Sequence, residues 1–172
     1  MTIELKTLTA LTETEIEQLS DVLIDCVDGG ASVSFMLPIT PDKAATFWRR
    51  IACDVEAGER VLLVAMDAHG IVGTVQVVLA MPENQPHRGD LSKMLVHRRG
   101  RGQGIGAALL HAAEEVGRAA GKTLLVLDTV SGSDGERLYQ RHGWVRVGEI
   151  PDFALWPAGG LCPTTYYYRR LV

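Results

Sequence analysis

The chain has 172 residues, a length that suits one well-packed domain and is short for two. Its formal net charge of -4 argues against a general nucleic-acid-binding surface. With 47% hydrophobic and 22% charged residues, its composition is that of a globular protein and excludes intrinsic disorder. We therefore expect a single domain that covers residues 1–172.

Cysteine usage and the lack of targeting signals indicate a cytoplasmic protein. Cys26, Cys53 and Cys162 are odd in number, far apart in the sequence and free of any C-x-x-C spacing, which is typical of reduced thiols. No N-terminal run matches a signal peptide, and no segment approaches the roughly 20 apolar residues that cross a bilayer. We therefore expect no membrane partner. The histidines show no metal-ligand spacing, so the sequence also predicts no metal.

Capping residues and apolar periodicity predict four helices. Thr12 and Glu15 form a capping box for the first, and Thr40 followed by Pro41 begins the second. The third follows a glycine-rich turn, and Ser133 caps a short fourth helix. Glycines end the four helices, at Gly29, Gly58, Gly121 and Gly143.

Short runs rich in β-branched and aliphatic residues predict the strands. These runs are 3–9, 60–66, 71–81, 90–96, 123–127, 144–150 and 164–171. Turn residues at 67–70 predict a hairpin, and the third helix is a crossover that makes the strands on either side of it parallel. A proline- and glycine-rich loop, 151–163, precedes the last strand. The order β-α-α-β-β-β-α-β-α-β-β predicts an α/β fold of the α+β type with a mixed central sheet of about seven strands.

The most informative stretch runs from Leu91 to Ala107. An apolar run, Met94–Val96, leads into His97-Arg98-Arg99-Gly100-Arg101-Gly102-Gln103-Gly104-Ile105-Gly106-Ala107. This pattern indicates a strand, a basic glycine-rich loop and the start of a helix. Unpaired N–H groups and the positive end of the helix dipole make such a turn an anion site, and three arginines add charge suited to phosphate. The stretch predicts a ligand that carries phosphate.

Two other interpretations of the same glycines stay open. Gly102-x-Gly104-x-x-Ala107 fits a dinucleotide fingerprint, and Asp128 lies about 20 residues on, where a ribose-binding acid would sit. Hairpin-linked strands precede the motif, however, and one βαβ crossover is evident where a Rossmann domain needs several. The second alternative is a plain connection, although ordinary βα loops of about 2 to 6 residues seldom carry so many glycines and arginines. A P-loop is excluded, because no Gly-Lys-Ser/Thr follows.

Three segments resemble the GNAT superfamily of acetyl-CoA-dependent N-acetyltransferases. Arg101-Gly102-Gln103-Gly104-Ile105-Gly106 satisfies the pattern Arg/Gln-x-x-Gly-x-Gly/Ala, and residues 124–129 and 138–144 are similar to the second signature region. The element order also fits, so the resemblance covers nearly the whole chain and implies a GNAT fold. Within the superfamily, residues 29–36, the segment Leu127-Asp128-Thr129 and residues 148–151 and 164–168 are similar to the tabtoxin-resistance acetyltransferases.

The resemblance implies a binding mode for acetyl-CoA as cosubstrate. Backbone N–H groups of residues 102–107 would hold the pyrophosphate, and the backbone of Met94–Val96 would pair with the pantetheine amides as an added strand does. The implied cofactor-binding residues are Met94, Leu95, Val96, Arg101, Gly102, Gln103, Gly104, Ile105, Gly106 and Ala107.

Acetyl transfer to an amine needs a base for the amine and a proton donor for the departing thiolate. The resemblance implies Asp128 as the base and Tyr139 as the acid. On the residues alone, Asp128 could instead be a turn or capping residue, and Tyr139 a half-buried core aromatic. Lys93, beside the cofactor strand, is expected to be a solvated side chain.

The function expected from these residues is direct acetyl transfer to the amine of a small molecule, such as an amino acid, a toxin or an antibiotic-like compound. Two alternatives stay open: a non-catalytic acyl-CoA sensor on the same fold and a nucleotide-dependent oxidoreductase. The linker 29–36 could wall the acceptor site, and Asp25 and Asp28 beside it hint at a cationic acceptor. By analogy with its relatives, the protein could form a homodimer.

Overall fold

The computed structural model describes residues 2–171 and contains a seven-stranded sheet with helices on both faces. The strands are β1 (Glu4–Leu8), β2 (Arg60–Asp67), β3 (Gly70–Val78), β4 (Arg88–Val96), β5 (Leu124–Val130), β6 (Val145–Leu155) and β7 (Leu161–Arg170). The helices are α1 (Glu13–Asp28), α2 (Pro41–Glu56), α3 (Ile105–Ala119) and α4 (Asp134–Arg141), and a single 3₁₀ turn spans Arg98–Gly100. The predicted element order is confirmed.

Helix ends follow the predicted caps. Thr12 and Glu15 form a full capping box at α1, Thr40 accepts from the N–H of Lys43 at the start of α2, and Ser133 caps α4. Helix α3 differs, because its N-cap is Gly104, which has no side chain to satisfy the first N–H groups. Among residues 2–171, no helix is both long and apolar enough to cross a membrane.

The strand order across the sheet is β1-β2-β3-β4-β5-β7-β6. Every neighbouring pair is antiparallel except β4 and β5, which are parallel as predicted because α3 connects them. Helices α1 and α2 cover one face around the fully buried Trp48, Leu62 and Val64. Helix α3 covers the other face through Leu109 and Leu110.

The prediction that residues 151–163 form a loop was wrong for most of these residues. Strand β6 continues to Leu155 and β7 begins at Leu161, so the connection is a short turn. Pro151 is tolerated because β6 is an edge strand that shifts register between Ile150 and Ala154. Pro163 lies opposite that irregularity, one residue before β7 begins to pair with β5.

Two other predicted strand ends were also wrong. Strand β3 stops at Val78 rather than 81, where Leu79 and Ala80 instead donate to the Glu59 carbonyl. Strand β5 continues past 127 to Val130, because its last residues pair with β7. Asp128 is therefore a strand residue, paired with Tyr166, and its interpretation as a turn or cap was wrong.

The sheet splits between β4 and β5. Parallel pairing joins residues 88–90 to 124–126 and then stops. Just beyond, β4 bulges, since Lys93 and Met94 together lie opposite Val75 of β3, and Lys93 adopts a φ of 51°. The two strands separate from that point, which leaves the β5 side of residues 91–96 without a partner strand.

Close packing of α3 on β3 fixes the helix beside this split. A Cβ atom at Gly73 would lie 3.1 Å from both Ile105 Cγ2 and Leu109 Cδ1. We expect Gly73→Ala to push the first turn of α3 away from the sheet and to lower the free energy of unfolding by about 1–3 kcal/mol in urea denaturation. Gly148→Ala in β6 is the matched control, because a Cβ there meets no atom within 4 Å. Equal losses in the two variants would contradict this account.

Candidate active site

A cleft of about 810 Å³ lies where β4 and β5 separate, within the roughly 300–1,000 Å³ range of ligand pockets. Its walls come from the α1–α2 connection, the free part of β4, the start of α3, the end of β5 and helix α4. The segments that line it include residues 29–34, 91–96, 104–107, 128–130 and 137–139.

The glycine-rich turn presents its backbone to this cleft. Gly102 and Gly104 have φ angles of 75° and 77°, which glycine adopts without steric cost. A Cβ at either position would meet no atom within 4 Å, so the space beside the turn is open. Within residues 2–171, no protein acceptor is found for the N–H groups of residues 102–107, and the first return bond of the helix comes from Ala108. N–H groups left unpaired at a helix N-terminus can bind an anion, so this turn, the cradle, is a candidate anion site.

Two of the three arginines that predicted this cradle point away from it. Arg98 pairs with the buried Asp25, which also accepts from the Arg98 N–H at 2.8 Å. Arg99 donates to Asp67 Oδ2 at 3.2 Å and to the Ile71 carbonyl at 2.8 Å. These arginines hold the turn against α1 and the β2–β3 hairpin. The expectation that all three serve phosphate was therefore wrong.

Arg101 lies at the cleft. Its Nε donates to the Val96 carbonyl at 3.3 Å, and the buried Cys26 Sγ donates to the same oxygen at 3.6 Å. Burial raises the pKa of Cys26, so the thiol stays protonated. Of the ten predicted cofactor-binding residues, nine line the cleft; the tenth, Gln103, instead turns its amide to the Arg99 carbonyl at 3.0 Å.

Asp128 and Tyr139 both line the cleft, as the sequence predicted. Asp128 is exposed, and its Oδ2 accepts from Thr164 Oγ1 at 2.8 Å. No partner for Oδ1 occurs among residues 2–171, so this oxygen is open to a ligand. Thr164 was not identified from the sequence, because only the pairing of β5 with β7 brings it beside Asp128.

Tyr139 reaches the cleft from the opposite face of the sheet. It is 4% exposed, and its ring packs near Trp144 and Tyr167, so it is also the core aromatic that the sequence allowed. Burial raises the pKa of the phenol far above 10, and the charge of Asp128 raises it further. Its hydroxyl, with no hydrogen-bond partner among residues 2–171, stays protonated and can donate to a ligand.

The linker 29–36 forms the wall opposite α3, as the sequence allowed. Ser32 Oγ donates to the Leu155 carbonyl at 2.7 Å, and the Leu37 N–H donates to the Pro157 carbonyl at 2.9 Å. These bonds fasten the linker to the β6–β7 turn, from which Trp156 adds a cleft-lining ring. Asp25 and Asp28 do not line the cleft, so these two residues give no support for a cationic acceptor.

Lys93 also differs from its expected role as a solvated side chain. It lines the cleft half-buried, and its Nζ donates to Ser34 Oγ at 3.1 Å. Burial lowers the pKa of this ammonium group, an effect that the charge of Asp128 partly offsets. The bulge that turns Lys93 inward depends on how β4 pairs with β3, which no local sequence signal reports.

Comparison with known proteins identifies the family. Residues 58–146, just over half of the chain, match the family model described as an acetyltransferase (GNAT) domain. The chain therefore belongs to the GNAT acetyltransferases, enzymes that use acetyl-CoA as the acetyl donor. This membership, together with a sheet that has one parallel pair, shows that the oxidoreductase alternative was wrong.

Solved structures confirm the GNAT fold. An N-acetyltransferase from Staphylococcus aureus Mu50 is 14% identical, with a TM-score of 0.81 and full coverage of both chains. A candidate acetyltransferase from Salmonella typhimurium, solved with its cofactor acetyl-CoA, is 16% identical with a TM-score of 0.79, over 99% of this chain and 94% of that one. A candidate phosphinothricin N-acetyltransferase is 18% identical with a TM-score of 0.78, over 99% of each chain.

The contacts of Asp25 with Arg98 are expected to hold the glycine-rich turn in place. Replacing Asp25 with alanine leaves the Arg98 N–H without its acceptor and makes the turn before Gly102 more mobile. We therefore expect the free energy of unfolding to fall by about 1–3 kcal/mol and acetyl-CoA to bind more weakly. Asp21→Ala is the matched control, since Asp21 is 66% exposed and its contacts with His97 and Arg99 are 3.6 and 4.0 Å long. Calorimetric titration with acetyl-CoA measures the binding; unchanged affinity in D25A would contradict this role.

The burial of Tyr139 predicts a difference in alkaline stability. Because the phenol has a raised pKa in the folded protein, the unfolded chain loses this proton first as pH rises above about 10. Above that pH the free energy of unfolding of the wild type should fall by up to about 1.4 kcal/mol per pH unit more than that of Tyr139→Phe. Denaturation of both proteins at pH 8 and pH 11 measures this. If the difference in free energy of unfolding between the two proteins stays constant with pH, the pKa of Tyr139 is not raised in the folded protein.

Proposed function

We propose that the protein transfers the acetyl group of acetyl-CoA directly to the amine of a small molecule, with Asp128 as base and Tyr139 as acid. The observation that carries the proposal is one cleft that combines the free N–H cradle of residues 102–107, the unpaired edge of β4 and these two side chains. We take residues 1–172 as one cytoplasmic acetyltransferase domain, without a nucleic-acid or membrane partner.

The residues present fit the donor. The cradle offers its unpaired N–H groups to the pyrophosphate, and the edge at Met94–Val96 has no partner strand and can pair with the pantetheine amides, because β5 has turned away. Arg101 holds the Val96 carbonyl by one long bond at 3.3 Å. We expect it to release that carbonyl and move to phosphate oxygens, where a guanidinium makes stronger bonds.

Acetyl-CoA, when bound, supplies an acetyl thioester to this cleft. Asp128 would attract the protonated amine through its open Oδ1 and accept the proton that the amine must lose before it attacks. Thr164 Oγ1 lies 2.8 Å from the other carboxylate oxygen and 2.9 Å from the Thr129 carbonyl, so its single proton is shared between these two acceptors, and Oδ1 is left to the amine. An N–H group of the Met94–Val96 edge would stabilise the negative charge that develops on the carbonyl oxygen.

Tyr139 would act at the sulfur. Its pKa is raised, so the hydroxyl remains protonated throughout the neutral range and is a donor rather than a base. A thiol with an ordinary pKa of about 8.5 is the stronger acid. We therefore expect Tyr139 to donate a hydrogen bond to the sulfur as the C–S bond breaks and to pass its phenolic proton to the leaving thiolate. Because the phenolate is the stronger base, it regains a proton at once, in balance with the second proton that the acetylated nitrogen loses.

The acceptor is proposed to be an amino acid or an amine-bearing toxin or antibiotic. Support comes from the similarity of residues 29–36, 148–151 and 164–168 to the tabtoxin-resistance acetyltransferases, and from the 18% identical candidate phosphinothricin N-acetyltransferase. The linker and Trp156 line the cleft, and its volume of about 810 Å³ must also hold part of the donor, which leaves room for a small acceptor. A homodimer is compatible with this arrangement.

Asp128→Asn and Tyr139→Phe test the two roles, with thiol release from acetyl-CoA as the assay over a panel of amines. Asp128→Asn keeps an acceptor for Thr164 but cannot take a proton, so we expect a fall in kcat of at least about 100-fold. Tyr139→Phe should also lower kcat by about 100-fold. Both variants should keep the rise in Tm that acetyl-CoA gives the wild type, because neither residue belongs to the cradle.

Asp42→Asn and Tyr168→Phe, outside the cleft, are the controls and should turn over as the wild type does. Full kcat in Asp128→Asn would eliminate that residue as the base. Acetyl-CoA binding without acetylation of any amine would instead favour the acyl-CoA sensor.

A further inference from the structure

Lys93 brings a positive charge into the cleft. Its Nζ lies 3.1 Å from Ser34 Oγ and 5.8 Å from the centre of the Phe47 ring. Ser34 belongs to the linker after α1 and Phe47 to α2, so the Lys93 side chain points to the face of the sheet that α1 and α2 cover. The alternation of side chains along β5 directs Asp128, the proposed site of the amine, to the same face.

The backbone at this contact is unusual. Lys93 has a φ of 51° and Ser34 a φ of 80°, in the left-handed region that residues with a side chain rarely adopt. Two non-glycine residues in this conformation thus meet side chain to side chain across the cleft. Such conformations concentrate where function requires a particular side-chain position.

The charge of Lys93 is incompletely compensated. Among residues 2–171, no carboxylate lies within salt-bridge distance of its Nζ, and its hydrogen-bonding partner is a neutral hydroxyl. A hydroxyl and the face of an aromatic ring compensate a half-buried cation only in part, so an anionic ligand would complete its environment. Asp128 lines the same cleft and acts on Lys93 electrostatically, so charges of opposite sign face one acceptor space.

We propose that Lys93 binds an acidic group of the acceptor, so that the substrate is an amine that also carries a carboxylate or a similar anion. This inference rests on the proposed function, in which Asp128 receives the amine. The amine would lie at Asp128 and the anion at Lys93, with Ser34 Oγ as a second donor to the anion. Charge complementarity at both ends would orient the acceptor and exclude simple amines and diamines.

Paired acceptors test the proposal. Each α-amino acid is compared with its α-amide, and β-alanine and γ-aminobutyrate with their amides, so that each pair differs in one negative charge. Within the pair whose length matches the distance between the two charges, the wild type should acetylate the acid with a higher kcat/KM than the amide. Lys93→Met should raise KM for that acid by about 10- to 100-fold, the typical effect of losing a hydrogen bond to a charged group, and leave KM for its amide unchanged.

Matched variants separate charge from structure. Lys93→Arg keeps the charge and should restore part of the preference for the acid. Lys43→Met is the control, because Lys43 also lies over an aromatic ring, that of Phe35, but is exposed outside the cleft. KM for acetyl-CoA should stay constant in all three variants, which shows that the cofactor side is intact.

The outcomes distinguish this inference from the function on which it rests. Acetylation of acids and amides with equal efficiency by the wild type, or an equal effect of Lys93→Met on both, would overturn the role of Lys93 and leave acetyl transfer standing. A rise in KM for acetyl-CoA in Lys93→Met would place the lysine on the donor side and also overturn it. A wild type that acetylates no amine would overturn both.

Discussion

The separation of β4 from β5 is the constraint on which the active site depends. Three register pairs hold the strands parallel, and then the bulge at Lys93 and Met94 directs β4 away. Without that split, backbone groups of residues 91–96 would be used within the sheet and none would be left for a ligand. The same split opens the space into which α3 presents its N-terminus and α4 presents Tyr139.

Rigidity of the glycine-rich turn follows from ion pairs that do not touch the cleft. Arg98 and Arg99 join the turn to Asp25 and Asp67, and both carboxylates are buried. Hydrogen bonding and the charge of Arg99 keep the pKa of Asp67 low, against the opposing effect of burial, so the pair stays charged. A cradle fixed in this way pays little ordering entropy when it binds an anion.

Local signals in the sequence were sufficient for the helices and for the glycine-rich turn. The capping box at Thr12, the Thr40-Pro41 start and the glycine-rich turn each depend on neighbouring residues, so they can be read without knowledge of tertiary structure. The β6–β7 pair could not be read in this way. Its prolines resemble loop residues, and only a register irregularity in an edge strand accommodates them.

The features of the site that the sequence did not reveal depend on contacts between residues far apart in the chain. Counting arginines overestimated the charge available to phosphate, because partners on α1 and β2 take two of the three. Lys93 was misjudged for the same kind of reason, since its inward direction is set by a bulge against β3. Thr164 is 36 residues from Asp128 and meets it only through the β5–β7 ladder.

The strand extension through Asp128 also explains how base and acid can meet. Side chains alternate along a strand, and Leu125 and Leu127 are buried on the α3 side, so Asp128 projects to the α1–α2 side. Tyr139 belongs to the α3–α4 side. A continuous sheet would keep these two groups on opposite faces. At the split there is no sheet between them, and Asp128 acts on the Tyr139 hydroxyl electrostatically. The gap beside the free edge of β4 is therefore also what places the two proposed catalytic groups in one cleft.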